Sequence, residues 1–242
     1  MRPDEVVQPF DGYADSYSDA LRQGLAVSGE SQFFFAEKRI NWFANRARAL
    51  GCRPQSILDF GSGQGSSTRL LLDALGGSEA VGMDTSAALI ATAKQSNTDA
   101  RIKYLQIAAS TRAEESFDCA YTNGVFHHIA IAERADACRF VFNSLRPGGL
   151  FALWENNPWN PGTRYVMRRI PFDRDAVTLT IPEAVGLASG VGFEVLDVDS
   201  LFFFPRQLRA LRGLEPLLSR TRLGAQYMVF CRKPSARLTR VA

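Results

Sequence analysis

The chain has 242 residues, of which 46% are hydrophobic and 22% charged, with a formal net charge of +3. This is ordinary for a soluble globular protein and long enough to bury a substantial core, so one α/β domain with additions is expected. Apolar runs are too short to span a bilayer, and with Asp4 and Glu5 close to Met1 no basic-then-apolar secretory signal is expected. Cys52, Cys119, Cys138 and Cys231 form no CxxC pair, which argues against a metal or disulfide frame and for the reduced thiols of a cytoplasmic protein.

The charge is uneven. Residues 205–242 carry nine Lys or Arg against one acid, Glu215. A solvated basic face and tail explains this, as does contact with an anionic lipid surface. No nucleic-acid motif accompanies the arginines, so nucleic acid is not an expected partner.

In chain order, residues 10–17 place Tyr13 and Tyr17 among acids and a glycine, a poor core segment that reads as an aromatic-pinned arm. Ala36, Ile40, Phe43, Ala47 and Leu50 recur at steps of four and three, one apolar stripe of a helix that Phe33 extends and that Gly51 and Pro54 stop. Lys38 and Arg39 on it read as a solvated face, with a bound carboxylate as the alternative partner. Residues 57–60 are a short buried strand containing Asp59, followed by Gly61-Ser62-Gly63-Gln64-Gly65. Ser66, Ser67 and Thr68 are placed to cap the next helix. Strand, glycine turn and helix form a nucleotide-sized site in an open α/β sheet. Ser66 stands where a dinucleotide fingerprint needs glycine, and a carboxylate at Asp59 would repel a pyrophosphate. A ligand with a cationic amine and no phosphate fits better.

Residues 79–83 form a second strand ending in Asp84, at the distance beyond the glycines where an acid accepts the ribose hydroxyls. Thr85 or Ser86 caps a helix over 87–95. A third strand, 102–107, ends in Ala108-Ala109-Ser110, and a fourth, 117–121, runs into Thr122-Asn123-Gly124-Val125-Phe126-His127-His128. Adjacent histidines on a helix diverge by about 100°, which argues against a shared metal ion. His128 is the candidate general base, set against a histidine that satisfies its own helix start. A helix over 132–145 leads through the sharp turn Leu145-Arg146-Pro147-Gly148-Gly149 to an apolar strand, 150–154.

Taken together, Asp59-x-Gly61-x-Gly63-x-Gly65, the acid at Asp84, the stretch 122–129 and the turn at 145–149 resemble the class I S-adenosylmethionine-dependent methyltransferases. The "FDxxAxxY" pattern of residues 10–17 is similar to the opening of the small-molecule members. The resemblance implies an α/β, Rossmann-like, seven-stranded and mostly parallel sheet with helices on both faces and the last strand antiparallel. It also implies methyl transfer from S-adenosylmethionine to a small molecule, leaving S-adenosylhomocysteine, with no metal. By the same resemblance Tyr17, Asp59, Gly61, Ser62, Gly63, Asp84, Thr85, Ala108, Ala109, Asn123 and Gly124 lie around the cofactor. Alanines at 108 and 109 replace the acid that often meets the adenine. The competing classes are a nicotinamide-dependent oxidoreductase and a non-catalytic scaffold of the same fold.

The segment 155–180 breaks the pattern with Asn, Pro, Trp159 and Tyr165, and with Arg164, Arg168, Arg169 and Arg174 close together. It reads as a substrate lid in which Trp159 and Tyr165 are walls and Arg164 and Arg168 hold an anionic acceptor. Pairing of the arginines with Asp173, Asp175 and Glu155 is the alternative. A helix from Pro182, a sixth strand or strand pair over 193–204, a basic leucine-rich stretch and a last strand over 225–231 complete residues 1–234 as one domain, with 1–55 as its cap and first helix. Residues 235–242 read as a mobile tail.

Overall fold

Apolar runs bounded by glycine and polar turns set seven strands: β1 (Ser56–Phe60), β2 (Glu79–Asp84), β3 (Ile102–Gln106), β4 (Phe117–Asn123), β5 (Leu145–Asn156), β6 (Glu194–Leu201) and β7 (Gln226–Arg232). The computed structural model describes residues 17–174 and 176–235. The strands form one sheet in the order β3-β2-β1-β4-β5-β7-β6. The pairs from β3 to β5 are parallel, and β7 lies antiparallel to both β5 and β6. Five consecutive parallel strands place the carboxyl ends of β1, β2, β4 and β5 on one side, where such sheets bind ligands.

Both faces are covered, so β1 and β4 at the centre are buried in almost every position and mainly apolar. On one face Ile40, Phe43 and Ala47 of α2 (Gln32–Ala49) and Leu71 and Leu72 of α3 (Thr68–Leu75) meet Ile57, Tyr121, Trp154 and Phe230. On the other, Cys138 and Val141 of α5 (Arg134–Ser144) and Ala184 and Ala188 of α7 (Ile181–Gly190) meet Leu58, Phe151, Leu153 and Val229. The alternation of Ile57 with Leu58, and of Leu153 with Trp154, is the two-residue period of a strand made visible. Two shorter helices, α1 (Tyr17–Leu25) and α4 (Ala87–Ser96), and α6 (Pro161–Met167) complete the framework around the site. Ser31, Ser86 and Asn160 cap their helices with side-chain oxygens, and Thr180 with Glu183 makes a capping box.

Several expectations need correction. Phe33 and Leu50, placed on the buried stripe of α2, are exposed. The turn at 145–149 is the first part of β5: Leu145 pairs with Phe117, and a register shift before Cys119 absorbs the extra residues. Tertiary contacts override the turn chemistry there, because Gly148 donates to the Lys233 carbonyl and Lys233 Nζ donates to the Leu145 carbonyl. The sixth strand is single and stops at Phe202, whose φ is +66°. Ser67 occupies the cap position of α3 without a side-chain hydrogen bond, since the adjacent hydroxyl, Thr68, is drawn beneath the glycine loop. Cys52 and Cys119 are free thiols with sulfurs 3.8 Å apart. No helix of the described residues is long and apolar enough to cross a membrane.

Candidate functional site

The glycine loop is folded by its own backbone against β2. Gly61 N–H and Ser62 N–H both donate to the Met83 carbonyl, at 2.7 and 3.0 Å. Gly61 sits at φ +73°, and a Cβ there would collide with the Val125 side chain. Glycine is therefore required twice over, for conformation and for space. Gly63, at φ +53°, faces open space on the ligand side of the loop.

Asp59 does not face that open side. Its carboxylate lies under the loop, 2% exposed, and accepts the Thr68 hydroxyl at 2.7 Å. Burial raises its pKa to about 7, Thr68 opposes that rise, and the nearby charge of Asp84 adds to it. Asp59 therefore ties β1 to the start of α3 from below. Asp84 does face the loop: its Oδ2 accepts Gly63 N–H and its Oδ1 accepts Ser86 N–H, each at 2.9 Å. Thr85, beside it, is exposed.

Two buried oxygens nearby, Ser62 Oγ and Asn123 Oδ1, have no hydrogen-bond partner among the described residues. Leaving such atoms unpaired is unfavourable. Asn123 Oδ1, at the end of β4, suits a polar ligand there, whereas Ser62 Oγ is turned inward over Gly82 of β2, so the expected cofactor contact of its side chain is not what the structure places at the loop. Gly124, at φ +67°, continues from Asn123 and donates to the Trp154 carbonyl. Ala108 and Ala109 are exposed at the end of β3, and Ala108 has its N–H and carbonyl engaged by Thr111. Tyr17 is the first residue of α1, its side chain lies outside the described residues, and so does Tyr13.

Beside Asn123 and Gly124 opens a cavity of about 410 Å³. Its walls include Phe34 and Phe35 of α2, Phe202, Phe203 and Phe204 after β6, and Tyr165, Met167, Ile170 and Phe172 of the 155–180 segment. Its polar points include Arg39, His127, His128, Asp173 and Gln226. Arg39, read from sequence as a solvated cation, is buried, and it donates to Tyr121 Oη and Gln226 Oε1 at 3.3 and 2.7 Å. Arg212 is anchored at the rim by Glu30, 2.9 Å away.

The histidine pair sits in a 3₁₀ turn, Phe126–His128, with ring centroids 4.1 Å apart. The divergence expected of adjacent side chains is overcome, because one carboxylate draws both rings. His127 Nδ1 meets Glu155 Oε2 at 2.5 Å, its Nε2 lies 3.5 Å from Asp173 Oδ1, and His128 Nε2 lies 3.1 Å from the same oxygen. Burial opposes a charge on His127, but Glu155 and Asp173 outweigh it and raise its pKa to about 10. His128 is pushed the other way: burial lowers its pKa, the bond to Asp173 resists, and the neighbouring imidazolium adds to the fall. Asp173 resists its own burial and is held below its ordinary range by the two histidines. One nitrogen of each histidine and an oxygen of Asp173 lie within 4.8 Å of one another, a spacing a cation can bridge. The His127 imidazolium already places a positive charge between the two carboxylates.

The lid arginines are a correction. Thr163, Met167 and Ile170 are buried at helical spacing, so Arg164 and Arg168, one position further on, turn outward and are exposed, away from the cavity wall. Trp159 is half-exposed, held through its N–H by Asn157 Oδ1, and Tyr165 lines the cavity with Arg169 over its ring at 4.5 Å. Glu155 and Asp173, the alternative partners for the arginines, are taken by the histidines, and Asp175 lies outside the described residues. The site residues that sequence reasoning missed are the His127–Glu155 pair and five members of the two phenylalanine triplets, Phe34, Phe35, Phe202, Phe203 and Phe204. The triplets were visible as unusual clusters near predicted element ends.

Residues 58–153 match a family described as a methyltransferase domain. A trans-aconitate 2-methyltransferase of Delftia acidovorans is 32% identical over 126 residues, which cover 51% of this chain and 46% of that relative. The match thus spans under half of the relative's length. A ubiquinone biosynthesis O-methyltransferase of Pseudomonas putida is 27% identical over 181 residues, covering 69% of this chain and 75% of that relative. Among solved structures, an S-adenosylmethionine-dependent methyltransferase of Mesorhizobium loti shares the fold, with a TM-score of 0.55 at 23% identity over 73% of this chain and 90% of that one.

Proposed function

We propose that this chain, which carries a class I S-adenosylmethionine-dependent methyltransferase domain, methylates an oxygen of a small, mainly apolar, ring-bearing acceptor held in the 410 Å³ cavity. The observation that carries this reading is the placement of His128. It lies on the cavity wall beside Gly124, is bonded through Nε2 to a buried carboxylate, and is depressed in pKa so that it is neutral at physiological pH. The bond to Asp173 fixes the ring in place, and the lowered pKa suits His128 to accept a proton near neutral pH, the role of a general base. The aromatic walls favour a phenol-like or quinol-like acceptor over the anionic one expected from the arginines, whose charges face solvent.

S-adenosylmethionine supplies a methyl group on a sulfonium, so the departing thioether is neutral. Asp84 is the residue to hold the ribose hydroxyls, in exchange for the backbone N–H groups it now accepts. Asn123 Oδ1 meets a polar group of the amino-acid end, and Ala109 and Thr85 flank the base. His128 takes the hydroxyl proton of the acceptor as its oxygen becomes nucleophilic. The phenylalanine walls exclude water and hold the acceptor in line, which supplies much of the rate enhancement for a transfer of this kind.

The test is His128→Asn assayed with labelled methyl donor against a panel of phenolic acceptors, beside calorimetry with S-adenosylhomocysteine. Loss of a general base lowers kcat by about 10²–10⁴-fold, with cofactor affinity unchanged. Unchanged kcat would remove His128 from the chemistry, and absence of S-adenosylhomocysteine binding in the wild type would overturn the cofactor assignment itself.

A further inference from the structure

Between β6 and β7 the chain leaves the sheet at Phe202 and turns back toward it at Arg222, the two non-glycine residues with positive φ among the described residues, +66° and +61°. The excursion is a 3₁₀ helix, Arg206–Leu214, kinked at Leu208, followed by the short helix α8 (Glu215–Leu218). Neither piece buries a residue. A 3₁₀ helix has three residues per turn, so a three-residue repeat lines up along its axis. Beyond the kink Leu211 and Leu214 form one such row and Arg209 and Arg212 the next, while Leu208 and Arg206, before it, are also exposed. Leu217 and Leu223, further along the same excursion, are 79% and 66% exposed.

The charge on this face has one sign. Glu215 is the only acid in 203–225, and its carboxylate is turned inward to accept Phe203 N–H and Phe204 N–H at 3.1 and 3.3 Å. Arg212 is paired with Glu30, and Arg220 with Asp197. Arg206, Arg209 and Arg222 are exposed beside the leucines. The same excursion walls the cavity through Phe203, Phe204 and Pro205.

We propose that this leucine–arginine face docks on an anionic lipid bilayer, with the leucines in the acyl boundary and the arginines at the headgroups. Apolar side chains flanked by cations that reach back to the interface are the pattern of a monotopic contact. A protein partner of the usual kind would leave the exposed Arg206, Arg209 and Arg222 without the dense negative charge that a headgroup layer supplies. Because this segment is also a cavity wall, the contact brings the cavity rim to the membrane surface, where an apolar acceptor accumulates. The docking is independent of the acceptor proposed above and is tested without it.

The experiment is flotation of the full chain with vesicles of phosphatidylcholine alone and of phosphatidylcholine mixed with phosphatidylglycerol. Binding is expected to the mixed vesicles and to weaken as salt is raised. The variant Leu211→Ser/Leu217→Ser/Leu223→Ser is expected to lose about a hundredfold in partitioning. Arg209→Glu/Arg222→Glu is expected to remove the preference for phosphatidylglycerol. Neither variant touches the cavity, so S-adenosylhomocysteine affinity serves as the folding control. Equal partitioning of wild type and leucine variant, or no binding to mixed vesicles, overturns the proposal. So does a dimer, by light scattering, that the leucine variant dissociates, since a second copy would then cover the face.

Discussion

Replacing Asp59 with Asn tests whether a buried carboxylate under the glycine loop is held at a thermodynamic cost. Its pKa is about 7 in the folded chain against an ordinary value of 3.8. A group whose folded pKa lies above its unfolded value keeps its proton longer in the folded state, so the folded state is favoured at low pH. That advantage is full below about pH 4 and disappears as pH climbs to about 7. Three pKa units at about 1.4 kcal/mol each make the loss about 4 kcal/mol. Asn is neutral throughout and keeps an oxygen for the Thr68 hydroxyl, so it removes the titration while preserving the tie to α3. The assay is urea unfolding of both proteins from pH 4.5 to pH 8, an interval on the order of the titration window, with the difference in stability plotted against pH. Subtracting the two curves cancels the other titrating groups. The variant should gain steadily on the wild type as pH rises and level off above pH 7. Parallel curves would refute the reasoning and place Asp59 as an ordinary ionised carboxylate.

The remaining expectations concern the acceptor side and the loop. For the wild type, kcat should rise with pH along a limb with its midpoint below 6.5 and stay level above it, because the His128 pKa is depressed, and the limb should vanish in His128→Asn. Glu155→Gln should destabilise the fold by about 3 kcal/mol in urea, since it leaves the buried His127 imidazolium one carboxylate short. The stabilisation lost is present in the wild type below about pH 6.5 and fades as pH rises through about 10. Gly61→Ala should abolish S-adenosylhomocysteine binding in calorimetry, because the new methyl meets Val125 and the residue must hold φ +73°. Arg164→Ala with Arg168→Ala should leave acceptor KM within a factor of about two, as exposed side chains off the cavity wall contribute little.

What was legible in the sequence was local. The glycine loop, Asp84 and Asn123 each lie at the end of a strand whose apolar run announces it, so their common side follows from the parallel topology alone. The antiparallel β7 followed from family likeness rather than from its own residues. The cluster of His127, Glu155 and Asp173 was not legible, because its members come from three different elements and meet only when β4 pairs with β5 and the 155–180 segment folds back. Asp173 reads as a surface acid among arginines until the histidines are placed. The outward turn of Arg164 and Arg168 was available in principle: Thr163, Met167 and Ile170 mark the buried face of α6 and its continuation, and the arginines sit about 100° from it. The density of positive charge was read as a site, although the apolar spacing beneath it gives the orientation. The same bias hid the cavity, whose walls come from the phenylalanine triplets.

The buried charges also explain how one cavity wall is held to the floor. His127 stands at the end of β4, Glu155 near the end of β5 and Asp173 in the segment between β5 and α7. The Val177 N–H donates to the His127 carbonyl at 3.1 Å, and Arg134 of α5 reaches the carbonyls of Ile129 and Val177. Asn157, Asn160 and Thr163 fasten the first half of the segment to the carbonyls of 222–225, while around Asp173 the hold on the sheet is the ion-paired imidazole and these backbone hydrogen bonds. Deprotonating or removing His127 would weaken the link to both carboxylates at once and release Asp173, the group that fixes the tautomer of His128. Acceptor enclosure and base orientation therefore depend on the same buried charge. A single substitution at His127 should relax both together, whereas His128→Asn should affect the chemistry and leave the wall in place.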